Sequence, residues 1–207
     1  MKHIIALCVA ATMAFSVGQL AGAENAEAVR LAKEGAQAAR NQDWDKAITL
    51  FRKATDLDRK NAPNLAAVLQ QRAVAYAGRQ QFDVAMADFS EALKITPNDP
   101  SIYERRAYVE MQVRDYDKAL ADYSEAIKLR PNEIRYYLLR GYIYETKGDI
   151  KNSMADTDRA LKIQSKNPEA QARKQRLQTI LQSQAAVQAP AAPLQAPQQP
   201  PQPPKKP

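Results

Sequence analysis

Two stretches of the chain, DFSEALKITPND (Asp88–Asp99) and DYSEAIKLRPNE (Asp122–Glu133), match in chemistry and stand 34 residues apart. The same step forward reaches DTDRALKIQSKN (Asp156–Asn167). The step backward reaches a weaker copy, LFRKATDLDRKN (Leu50–Asn61), displaced by four residues that fall at Ala62–Leu65. Such a period constrains the fold more than any other feature of the chain. A unit this short cannot bury its own apolar face, so successive units must stack on one another into an array.

Each unit reads as two short helices. In the third copy, Ile102–Val113 carries Ala107 between Tyr103 and Tyr108, a polar break follows at Arg114-Asp115, and a second helix runs from about Tyr116 to Leu129. Pro131 just beyond it is a stop signal. Small residues recur at Gly35, Ala73, Ala107 and Gly141 in the first helices. In the second helices they recur at Ala47, Ala85, Ala119 and Ser153, and again at Ala54, Ala92, Ala126 and Ala160. Large residues fill the gaps at Trp44, Phe82, Tyr116 and Ile150, and at Phe51, Phe89 and Tyr123.

This alternation of small and large at a 34-residue step resembles the tetratricopeptide repeat (TPR) over about residues 28 to 167. The resemblance implies an all-α fold, a right-handed α-solenoid of about four helical hairpins. Their boundaries fall at 28–61, 66–99, 100–133 and 134–167, after a lead-in at 24–27. The outer copies depart from the pattern: Arg59 and Ser165 replace the proline of Pro97 and Pro131, and Thr157 stands in an aromatic slot. Beyond Pro168, residues 168–184 read as a capping helix with Ala172, Leu177, Ile180 and Leu181 on its apolar side.

A charge pattern shares the period. Arg72, Arg106 and Arg140 each precede Asp88, Asp122 and Asp156 by 16 residues, which places each pair on the two helices of one hairpin. Fork-shaped guanidinium–carboxylate pairs suit such a position, so these six residues read as structural ion pairs.

Both ends differ from the array. Met1-Lys2-His3, an apolar run from Ile4 to Val17 and Ala21-Gly22-Ala23 have the anatomy of a signal peptide at 1–23, cleaved after Ala23. An uncleaved anchor is the alternative, although the apolar run falls short of the roughly 20 residues of a span. The reading predicts export, with the periplasm as destination, and no stable membrane span in the mature protein. Residues 185–207 hold eight of the 13 prolines among Ala and Gln, and read as a disordered tail sampling polyproline II. That tail is a spacer, or a docking arm ending in Lys205 and Lys206.

Cleavage would remove the single Cys (Cys8) and the single His (His3). Thiolate and imidazole catalysis, and metal sites built from those ligands, leave with them. The chain therefore reads as no enzyme, with no metal and no cofactor. Losing Lys2 lowers the net charge from +7 to +6, spread along the chain, which predicts a solvated surface and no nucleic-acid partner.

What remains is binding. The resemblance implies that first helices line a concave groove for a segment of another protein. Motif positions give Val29, Ala32 and Ala36 in copy one and Gln70, Val74 and Ala77 in copy two. Copy three supplies Ser101, Glu104, Arg105, Tyr108 and Met111, and copy four Arg135, Leu138, Tyr142 and Glu145. Tyr and Arg are enriched in binding hot spots, so the partner site is placed on copies three and four. Co-chaperones of the family grip a terminal carboxylate with Lys and Asn at positions that here hold Ala32, Ala36, Gln71, Ser101 and Arg105. Only Arg105 fits, so that clamp is not expected. The leading reading is a non-catalytic interaction module of the bacterial cell envelope. The alternative is a self-associating scaffold in which one molecule's tail or cap fills another's groove.

Overall fold

A computed structural model describes residue 23 and residues 25–188 of the chain. The expected signal peptide before Ala23 and the proline-rich residues from 189 onward lie outside the described residues. Among the described residues there are nine α-helices, one 3-10 turn and no strand. They form an α-solenoid of antiparallel hairpins.

The first hairpin pairs α1 (25–40) with α2 (Trp44–Leu57). A 3-10 turn (Arg59–Asn61) leads to α3 (Ala62–Gly78) and α4 (Phe82–Ile95). The third hairpin is α5 (Pro100–Gln112) with α6 (Tyr116–Leu129), and the fourth is α7 (Ile134–Thr146) with α8 (Ile150–Ile163). A last helix, α9, spans Pro168–Gln188. It runs four residues past the expected end at 184. The four extra residues between the first two copies are not a loop: they form the first turn of α3, with Pro63 tolerated because N–H groups there have no intrahelical acceptor.

The hairpin bends share one backbone device. Gln42, Gln80, Arg114 and Gly148 all have φ between 60° and 76°, the left-handed region that ends a helix and reverses the chain. Only the fourth bend uses glycine. Asp43, Asp115 and Asp149 then cap α2, α6 and α8 by accepting from a backbone N–H three residues on.

Packing follows the small–large alternation. Ala47, Ala85, Ala119 and Ser153 are all 0% exposed, as are Ala54, Ala92, Ala126 and Ala160. A methyl group or less at these points lets helix axes approach until Phe89 and Tyr123 are wholly covered. In the fourth hairpin, polar residues fill this layer, and each is satisfied. Ser153 Oγ donates to the Gly141 carbonyl at 2.8 Å, and Thr157 Oγ1 to the Ser153 carbonyl at 2.8 Å.

The buried face of the cap overlaps the expected one in part, at Leu177 and Ile180. Ala170, Arg173 and Leu177 are buried, Ile180 is half-buried, and Ala172 and Leu181 are exposed. Residues 170, 173 and 177 follow a helical step, whereas the sequence reading chose apolar side chains and passed over Arg173. Arg173 Nη1 donates to the Leu138 carbonyl at 2.6 Å and Nη2 to Glu169 at 2.9 Å. A Cβ on Gly141 would lie 3.0 Å from that Nη1, so the missing side chain at 141 is the space the guanidinium occupies.

Candidate functional site

The three Arg–Asp pairs lie together in the structure. Arg72, Arg106 and Arg140 each present Nε and Nη2 to both oxygens of Asp88, Asp122 and Asp156 at 2.6–2.8 Å. The carboxylates are 4–7% exposed as side chains, so the two-point bond offsets their desolvation. The third nitrogen does something the sequence reading missed. Arg106 Nη1 reaches Ser90 Oγ at 3.1 Å and Arg140 Nη1 reaches Ser124 Oγ at 2.9 Å, both on the preceding hairpin. Arg72 Nη1 reaches Asp45 instead.

One period on from Ser124 and Arg140, Asp158 and Lys174 are bonded at 2.7 Å with the same spacing of 16. In register, α9 thus takes the place of the first helix of a fifth hairpin. Ser90 and Ser124 sit in the two matching stretches, two residues after the Asp, and their period is the signal that marks them.

One position breaks the ladder. Tyr76 and Tyr144 lie under Arg72 and Arg140 at 5.9 and 6.0 Å, a cation–π arrangement. In the third copy the same position is Glu110, 2% exposed, with Oε2 lacking any hydrogen-bond partner. Burial, reinforced by the neighbouring Asp122 charge and opposed by Arg106, pushes its carboxyl up to about 8.

On the other face, α3, α5 and α7 bound a groove of about 830 Å³. Of the residues chosen from the sequence, Val74, Ala77, Ser101, Glu104, Arg105, Tyr108 and Arg135 line it. Tyr108 is 56% exposed, a large aromatic left in water. Arg135 Nη2 holds both oxygens of Glu104 at 2.9 and 3.0 Å. Desolvation still raises the Glu104 carboxyl, with Arg135 working against it. Burial likewise raises the phenols of Tyr123 and Tyr136, whose covered rings stand behind the groove wall.

The remaining choices sit elsewhere. Gln70 is half-buried on α3, outside the lining, and Tyr142 stands exposed on α7 beside it. Met111 packs into the core, where its sulfur accepts from the Tyr123 hydroxyl at 3.7 Å. Leu138 is 8% exposed, packed with Tyr137, Ala160 and Ala170, because α9 covers the position that would face a ligand in an open repeat. Glu145 accepts from Arg176 of α9 at 3.2 Å. The cap therefore narrows the site toward copies two and three and the near side of α7. Gln80, Gln112, Arg130, Glu133, Tyr136 and Leu139 also border the groove and were not singled out by motif position. Tyr136 is core at 1% exposed, like its counterparts Val68 and Ile102, and borders the groove from the core side.

Comparison with known families identifies a tetratricopeptide repeat at residues 33–100 and another at 134–167, with a TPR repeat at 114–148. The chain belongs to the tetratricopeptide repeat family. No curated protein matches it. Among solved structures, a tetratricopeptide repeat protein from Parabacteroides merdae is similar at 18% identity and TM-score 0.56, covering 78% of this chain and 68% of that one. The first TPR domain of Spaghetti (RPAP3), solved with the HSP90 peptide SRMEEVD, is similar at 20% identity and TM-score 0.52, covering 56% and 93%. The second TPR domain of human RPAP3, solved with the HSP70 peptide SGPTIEEVD, is similar at 16% identity and TM-score 0.51, covering 56% and 98%. At these identities the likeness is one of fold.

Proposed function

We propose that this TPR protein is a non-catalytic interaction module of the bacterial cell envelope that holds an extended segment of a partner protein in the groove between α3, α5 and α7. The observation that carries this reading is Tyr108, 56% exposed in a groove that also offers Arg105 and Arg135. A folded chain gains by covering such a ring, and a partner that does so buries apolar area beside arginines able to grip backbone carbonyls or acidic side chains. Solved relatives hold peptides of other proteins, which supports the binding mode and leaves the partner's identity to experiment. The export half of the proposal rests on residues 1–23, whose charged start, apolar run and Ala21-Gly22-Ala23 site read as a signal.

The test is photocrosslinking in intact cells with a photoreactive residue at position 108, against a control at Glu169 on the exposed side of α9. A product specific to position 108, found in the periplasmic fraction on a chain whose first residue is Glu24, supports the proposal. Equal products at both positions remove the groove reading, and a cytoplasmic chain beginning at Met1 removes the envelope reading. Should the product be a second copy of this chain, the self-associating scaffold replaces the module.

A further inference from the structure

We propose that the groove is occupied, in the absence of a partner, by the chain's own proline-rich segment, residues 189–207, folded back in the same molecule; this rests on the groove reading above. The two surfaces match in hydrogen-bonding character. Eight of the 19 residues after Gln188 are prolines, which have no N–H, so the segment is rich in carbonyl acceptors and poor in donors. A polyproline II strand makes no internal hydrogen bonds, and every carbonyl looks outward for a donor. The groove is the converse. Arg105, Arg130, Arg135, Gln80, Gln112 and Tyr108 supply donors around it. Its two carboxylates are already engaged: Glu104 holds Arg135, and Glu133 accepts from the Arg135 backbone N–H at 3.3 Å.

Shape and charge agree with this. Proline-rich strands dock against exposed aromatic rings, and this groove presents Tyr108, 56% exposed, with the buried rings of Tyr123 and Tyr136 behind its wall. Residues 189–204 carry no charge, which suits a site whose acidic groups are already bonded, and Leu194 is the one large apolar side chain beyond Gln188.

The reach is sufficient. Arg176 ties α9 to Glu145 at the rim of α7, and α9 continues 12 residues to Gln188, an overhang of about 18 Å. Returning over that distance and crossing two helix spacings of about 10 Å takes about 38 Å. Nineteen residues in polyproline II span about 59 Å. Tethering also gives the segment an effective concentration near the millimolar range, so weak contacts suffice to fill the site.

The experiment uses the full chain with Leu194→p-benzoylphenylalanine. Irradiation is expected to join position 194 to α5 or α7 within one molecule, with a yield unchanged on dilution and lost with Tyr108→Ala. A second arm measures a labelled peptide of residues 189–207 binding to the full chain and to a variant with Pro193, Pro197, Pro200 and Pro201 replaced by Ser. Vacating the groove should tighten peptide binding by about tenfold or more, since the tethered competitor is gone. Crosslinks to a second molecule, crosslinks outside the groove, or equal peptide binding by both chains overturn the inference. If position 194 never reaches the groove while a photoreactive residue at 108 still captures another protein specifically, the tail inference fails and the groove reading stands.

Discussion

Arg106 on α5 bonds Asp122 on α6 through Nε and Nη2 and Ser90 on α4 through Nη1, so one side chain ties its own hairpin and fastens it to the one before. Arg140 repeats the arrangement with Asp156 and Ser124. In a linear array, stability is the sum of unit and nearest-neighbour terms, and these arginines contribute to both.

Arg106→Ala leaves Asp122 charged, nearly buried and without its partner, and should cost about 2–3 kcal/mol. Ser90→Ala removes only the bond across the boundary and should cost about 0.5–1 kcal/mol. Urea denaturation of both variants and the double variant checks this. The double variant should be no worse than Arg106→Ala alone, because the serine contact no longer exists there. An Arg106→Ala chain as stable as wild type would refute the structural role.

Glu110 makes stability depend on pH in a direction opposite to an ordinary paired carboxylate. Its folded carboxyl titrates at about 8 against 4.5 in an exposed reference, so between these values the folded chain binds the extra proton. Stability should therefore fall as pH rises from 4.5 toward 8 and level off above. Glu110→Gln keeps the shape without the titration, and should gain on wild type by about 2 kcal/mol or more across that window. Melting curves at pH 5 and pH 8.5 decide it. Parallel behaviour of the two chains means that Glu110 is not the group responsible.

Gly141 and Arg173 should be coupled. Alanine in a helix interior is favoured over glycine by about 1 kcal/mol. Here the new Cβ would sit 3.0 Å from Arg173 Nη1 and 3.3 Å from Asp156 Cβ, pushing the guanidinium off the Leu138 carbonyl. Gly141→Ala alone should destabilise the cap, read as faster hydrogen exchange in α9. In an Arg173→Ala background the same change should stabilise by about 0.5–1 kcal/mol. Equal effects in both backgrounds would show that the arginine does not need the space.

The double change Tyr108→Ala with Tyr142→Ala should weaken partner capture by about 2 kcal/mol or more, the loss of two hot-spot rings. Circular dichroism should match wild type, because the rings are 56% and 47% exposed and hold nothing together. Unchanged affinity would move the site off these residues.

The sequence by itself determined the hairpin array, because stacking at a constant step demands small and large side chains at constant positions, and that demand is written in Ala85, Ala119, Phe89 and Tyr123. It also contained the Arg–Asp forks, since a 16-residue spacing on paired helices leaves them facing. Tertiary structure alone decided what those positions do at the ends of the array. Leu138 is a groove position by motif, yet α9 covers it, and no local pattern shows what a neighbouring helix will bury. Arg173 looks like a surface charge in sequence and is 2% exposed, because the space left by Gly141 and the carbonyl of Leu138 meet only once the helices are packed. Glu110 is an ordinary glutamate on a helix until α6 brings Asp122 against it and excludes water from one of its oxygens. Periodicity encodes contacts that every repeat shares; burial at a boundary is a property of two elements together, and only their packing sets it.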